Sequence, residues 1–97
     1  MTLDWPWTLT TPWGACAPVV RHAQHVTYPA IPIGPRGVPV TLHVIRRHHR
    51  WHWQIPALHR AGTGYATPKA ALIAACQVIT EIFGGPCAIT TAPRADG

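Results

Sequence analysis

The residues able to do chemistry in this sequence are mainly arginines and histidines, and they crowd into one stretch. Arg46-Arg47-His48-His49-Arg50-Trp51-His52 sets three guanidinium groups and three imidazoles side by side. Guanidinium forks grip phosphate oxygens in pairs, and imidazoles and indoles stack on bases. The pattern therefore suits an anionic ligand. His43, Arg36, Arg60 and Lys69 add dispersed positive charge, and a helix beginning at Pro68 would offer free N–H groups to a phosphate. The plain alternative is a solvated hairpin tip whose charges keep sheet edges apart.

Catalysis has little to work with. Nucleophilic mechanisms need a Ser, Cys or Thr beside a base and an orienting carboxylate. The chain has no serine, and its carboxylates are Asp4, Glu81 and Asp96 alone. Gly62-Thr63-Gly64 is an isolated GxG, with no phosphate-cradling motif around it. The protein is therefore expected not to be an enzyme and to need no cofactor. His22-Ala23-Gln24-His25 has a spacing that could bridge a metal, but zinc sites want four ligands and no paired cysteines accompany it. No metal site is expected.

Composition bounds the rest. The chain has 97 residues, one domain's worth, with 47% hydrophobic residues and a net charge of +5. So basic a chain suits an acidic partner such as nucleic acid or a nucleoprotein complex. Cys16, Cys76 and Cys87 cannot all pair within one chain, and none sits in a CxxC; they are read as reduced thiols of a cytoplasmic protein. The opening residues lack a basic and an apolar region, so no signal peptide is expected, and no apolar run is long enough to span a bilayer.

The elements that must carry these groups follow from pattern. Residues 1–20 are rich in Trp, Pro and Thr and read as an extended arm packed on the domain or on a partner. Its Trp5, Trp7 and Trp13 are candidate partner contacts. His25-Val26-Thr27-Tyr28 reads as a strand, and the prolines after it push residues 29–33 to an edge or an irregular segment. Val38 to Arg46 alternates, with Val38, Val40, Leu42 and Val44 on one face. Arg50 to Ile55 alternates too, with Trp51, Trp53 and Ile55 on one face. Placing Arg46 opposite Trp51, Val44 opposite Trp53 and Leu42 opposite Ile55 matches the apolar faces, and a one-residue slip would ruin the match. Thr41, His43, Ile45, Arg47, Arg50, His52 and Gln54 then face outward.

Residues 57–64 read as a loop, with a short strand at Gly64-Tyr65-Ala66. Thr67-Pro68 announces a helix to about Phe83, ended by Gly84-Gly85-Pro86. Leu72, Cys76, Ile79 and Phe83 form its buried stripe; Ile73 lies on the other side and is a further candidate contact. Residues 91–97 read as a flexible tail. The expected fold is α+β: an antiparallel sheet of three to four strands packed on one C-terminal helix, with the Trp/Pro-rich arm at 1–20 and the domain at 21–90.

The segment from Gly34 to Phe83 resembles the second half of a double-stranded-RNA-binding domain. The likeness lies in Gly34-Pro35, the strand from Val38, Gly62-Thr63-Gly64, and Thr67-Pro68-Lys69-Ala70-Ala71 with Ala74-Ala75. Trp53-Gln54-Ile55-Pro56-Ala57-Leu58 through Gly64, Thr67 and Ala71 is also similar to HicB-type antitoxins. In its small size and lack of catalytic groups the chain resembles phage-encoded inhibitors of bacterial defence, anti-CRISPR proteins among them. The leading expectation is a non-enzymatic binder that engages nucleic acid or a nucleoprotein complex through the His/Arg hairpin. The alternative is a protein–protein inhibitor or antitoxin that occludes a partner with its Trp arm and apolar helix, as a monomer or a homodimer. Neither reading involves a membrane.

Overall fold

A computed structural model describes residues 5–91. Two antiparallel sheets and a single α-helix make up this region, which is an α+β arrangement. The larger sheet is a five-stranded meander of β3 (Val19–His22), β4 (His25–Ile33), β5 (Val38–Arg47), β6 (Arg50–Ile55) and β7 (Arg60–Tyr65), in that order. The smaller sheet has β1 (Trp7–Thr11) at its centre, with β2 (Gly14–Cys16) on one side and β8 (Ala88–Thr91) on the other. Helix α1 (Pro68–Phe83) lies between β7 and β8 in the chain.

The expected hairpin forms in the expected register: Arg46 faces Trp51 and Val44 faces Trp53. Burial follows the alternation from Val40 onward: Val40, Leu42, Val44, Trp51, Trp53 and Ile55 are all buried, while Arg47, Arg50 and Gln54 are exposed; Val38, at the start of β5, is exposed. The prolines of β4 leave a mark. Register breaks between Tyr28 and Ile31, and beyond the break β4 pairs with β5 alone, because β3 reaches only to Thr27. Proline cannot donate to a ladder, so the proline half of the strand takes an edge position.

Helix α1 has the expected limits. The Thr67 hydroxyl accepts the Ala70 N–H at 3.1 Å, Pro68 opens the first turn, and Gly84 closes the last with φ 74°. Ala71, Leu72, Ala75, Cys76 and Ile79 are buried in the core shared with the sheet. Phe83, expected in the stripe, is only partly buried, and Ile82 is exposed.

Several expectations need correction. The main sheet has five strands rather than three or four, because residues 19–22 add β3 at one edge; the short strand expected at Gly64-Tyr65-Ala66 runs instead from Arg60 to Tyr65, through most of the expected loop. Its pairing places Gly62 opposite Trp53, whose indole lies over the strand; a Cβ there would overlap that ring. The glycine reads as a turn residue in sequence but makes room for a tryptophan. The helix is not the last element, since β8 follows it and pairs with β1. Residues 1–20, read as an extended arm packed on the domain, are built into it more deeply than an arm: Trp7–Thr11 and Gly14–Cys16 form β1 and β2, Val19 opens β3, and Trp5 and Leu9 belong to the core. Of the expected tail, Thr91 pairs with Trp7, and residues 92–97 lie outside the described region. Among the described residues no helix is long and apolar enough to cross a membrane.

Candidate functional site

Alternation divides the five-stranded sheet into a covered and an open face. Tyr28, Leu42, Trp53 and their neighbours point to α1 and β1. The other face carries His25 and Thr27 from β4, Thr41, His43, Ile45 and Arg47 from β5, and Arg50, His52 and Gln54 from β6. Cross-strand pairs set these groups in rows. Thr27 faces His43, which faces Gln54; His25 faces Ile45, which faces His52; Arg47 faces Arg50. Facing like charges cost a few tenths of a kcal/mol or more, roughly, and an anion between them would relieve that cost.

The tip of the β5–β6 hairpin is a two-residue turn, His48-His49, with φ of 52° and 64°. Two left-handed residues in succession are what a type I′ hairpin turn requires, usually met by Asn-Gly. Here both are histidine, which costs about 1–2 kcal/mol per residue in backbone sterics and projects two imidazoles from the sheet end. The β3–β4 turn lies beside it: the Arg46 N–H donates to the Gln24 carbonyl at 2.8 Å. Arg21 and His22 on β3 therefore join Arg46, Arg47, His48, His49 and Arg50 at one end of the sheet.

Next to this end the imidazoles of His25 and His43 meet. His25 Nε2 lies 3.2 Å from His43 Nδ1, and the Thr27 hydroxyl is 3.2 Å from each. His22 packs edge-on to His25, with ring centroids 5.7 Å apart, and its Nδ1 accepts the Gln24 N–H. Burial, together with the nearby charges of His43, His22 and Arg21, holds His25 below the ordinary imidazole value. Among the described residues no three His, Cys, Asp or Glu side chains converge to hold a metal ion.

The structure gathers some expected site residues and separates others. Arg46, Arg47, His48, His49 and Arg50 cluster at the hairpin end, with His52 and His43 on the open face. Arg60 pairs with Ile55 and Arg36 lies in the β4–β5 turn, both at the opposite end of the sheet. Lys69 lies on α1, on the covered side, where it lines a groove with Ile73 and Gln77. Glu81 is the sole carboxylate side chain among the described residues, against Arg21, Arg36, Arg46, Arg47, Arg50, Arg60 and Lys69. Among the described residues, then, seven cationic side chains face a single carboxylate.

The candidate partner contacts on the arm are largely used internally. Trp5 is 7% exposed, donates its indole N–H to the Tyr28 hydroxyl at 2.8 Å, and packs edge-on against Trp7. The Trp13 ring lies over Gly85, where a Cβ would strike it. Ile73, at 44% exposure, does face outward.

Arg21 and Thr27 are not read as site members in the sequence, and His22 and His25 only as a spacing that could bridge a metal. Their signal was the alternation of His25-Val26-Thr27-Tyr28, which puts His25 and Thr27 on the face opposite Tyr28. Comparison with known proteins returns no match: no family model, no curated protein and no solved structure.

Proposed function

We propose that this protein is a non-enzymatic binding module for nucleic acid, free or within a nucleoprotein complex, and that the open sheet face with its basic hairpin end is the contact surface. One observation carries the reading. An open antiparallel face bears imidazoles along its rows, and seven arginine or histidine residues gather at one end of the sheet, Arg46 from the Trp51 side, with no carboxylate among the described residues of that sheet. Flat sheets that present stacking groups beside cations suit single strands, whose bases can splay onto the platform while phosphates meet the charges. In this arrangement Arg46, Arg47 and Arg50 hold phosphates, and His43, His25 and His52 support bases. Arg36 and Arg60 contribute only long-range attraction.

The test is a salt titration of binding to fluorescent single-stranded RNA and DNA. For single strands the logarithm of affinity falls with that of salt by about 0.7 per phosphate neutralised. Replacing Arg46, Arg47 and Arg50 by alanine should flatten the slope by about 2 and weaken binding to every sequence alike. An unchanged slope would remove the hairpin from the interface.

Exposed Ile73 on α1 favours a second reading, in which that side of the helix covers a protein partner or a second copy of the chain. No binding to either nucleic acid at about 50 mM salt, together with a stable dimer, would select it.

A further inference from the structure

Cys76 and Cys87 belong to different elements, yet their sulfurs lie 3.1 Å apart. That is only about 1 Å beyond a covalent S–S bond. Cys76 is buried on α1, and Cys87 is partly buried just before β8. The approach is held by the backbone. Gly84 takes a left-handed conformation, and Gly85-Pro86 turns the chain back along the helix. Thr80 then clamps both partners: its hydroxyl donates to the Cys76 carbonyl at 2.9 Å and accepts the Cys87 N–H at 3.2 Å. The third cysteine, Cys16, lies on β2 and makes its own contact with the Ala17 carbonyl.

We propose that Cys76 and Cys87 are an intramolecular disulfide site, closed by low-molecular-weight disulfides such as oxidised glutathione and reopened by thiols. Cys87 is the attacking sulfur. Both sulfurs line one groove with Lys69, Ile73 and Gln77, and Cys87 is the more exposed of the two. The hydrogen bond that Cys76 offers its thiolate holds Cys87 below the ordinary thiol value, and the same contact, with burial, pushes Cys76 up.

The steps balance. The Cys87 thiol loses its proton, and the thiolate attacks one sulfur of the small disulfide, expelling the other as a thiolate that takes up that proton. Cys76 then gives up its proton and attacks the Cys87 sulfur of the mixed disulfide. The Cys76–Cys87 bond forms and the second small thiol leaves. Two protein thiols are oxidised, and one small disulfide is reduced to two thiols.

The bond would fasten α1 to β8, the strand that pairs with β1. Because β1 in turn pairs with β2, the whole smaller sheet is tied to the helix. The open face of the larger sheet is not involved, so the staple acts on stability and leaves the binding surface in place.

The experiment equilibrates the folded protein with excess oxidised glutathione, then quenches, unfolds and alkylates it. We expect one free thiol per chain, at Cys16, and a proteolytic fragment joining Cys76 to Cys87. The oxidised protein should melt on the order of 10 °C above the reduced form, as closing so short a loop implies. Cys16→Ser should keep this difference and Cys87→Ser should abolish it. Three alkylated cysteines after equilibration, a bridge to Cys16, or equal melting temperatures would each overturn the assignment.

Discussion

His25 Nε2 and His43 Nδ1 face each other at 3.2 Å, so one ring must offer a lone pair where the other offers an N–H. Protonating both rings would set two N–H groups head to head. Thr27, 3% exposed, fills the third corner with its hydroxyl. His22 and Arg21 add positive charge from β3, and Ile45 closes the row from β5.

The pair makes stability depend on pH in a definite direction. His25 has a depressed value in the folded state and an ordinary one, about 6.5, in the unfolded chain. Between those two values the unfolded chain binds more protons, so stability rises with pH. His25's contribution is complete above about 6.5 and is lost as pH falls toward the folded value. Urea midpoints near pH 7.5 and pH 5.5 should show this fall, and His43→Ala should reduce it. Imidazole NMR titration assigns the group: His25 should titrate below the ordinary imidazole value of about 6.5 in the free protein. Bound nucleic acid should move it upward, because phosphate favours the charged ring.

Tyr28 ties the arm to the sheet. It is fully buried, accepts the Trp5 indole N–H and donates to the Trp7 carbonyl, each at 2.8 Å. Tyr28→Phe leaves a buried indole N–H and a carbonyl without that partner, which should cost about 1–3 kcal/mol. Because Trp5 and Leu9 share the core with the sheet, the loss should appear as one cooperative transition at a lower denaturant midpoint. A separate early transition, with the main one unmoved, would mean the arm is an independent appendage.

Much of the scaffold was legible because local rules and burial agree there. The β5–β6 register follows from matching Val44 with Trp53, and the limits of α1 from Thr67-Pro68 and Gly84. The second sheet was not legible. Its β1 strand pairs with β8 about eighty residues away, and β8, Ala88-Ile89 followed by two threonines, is too short and unpatterned to announce a partner. Prolines around β1 and β2 also made extended arm and paired strand look alike. The site was half legible for the same reason. The hairpin end lies in one run of sequence, whereas His22, His25 and His43 meet only once β3, β4 and β5 are laid side by side.

Gly62 is the residue whose role changes most between sequence and structure. Its backbone needs no left-handed conformation; what it supplies is the absence of a side chain beneath the Trp53 indole, whose N–H donates to the Tyr65 hydroxyl at 3.3 Å. Gly62→Ala should therefore destabilise by about 1–3 kcal/mol through overpacking. If the clash is the cause, the penalty should shrink when Trp53 is first cut to Leu, leaving a coupling energy above about 0.5 kcal/mol in a double-mutant cycle. Full additivity would locate the glycine's role elsewhere.

The His48-His49 turn sets stability against binding. Both residues hold left-handed φ, a conformation that asparagine and glycine adopt at less cost. Replacing His48 with Asn and His49 with Gly should raise stability by about 1 kcal/mol, read from urea midpoints with an unchanged slope. The same change removes two imidazoles from the basic end beside Arg46, Arg47 and Arg50. If those rings contact nucleic acid, the more stable variant should bind single strands more weakly at the same salt. A variant that is more stable and binds equally well would show that the tip histidines serve neither the fold nor the ligand, and would leave the contact to the arginines alone.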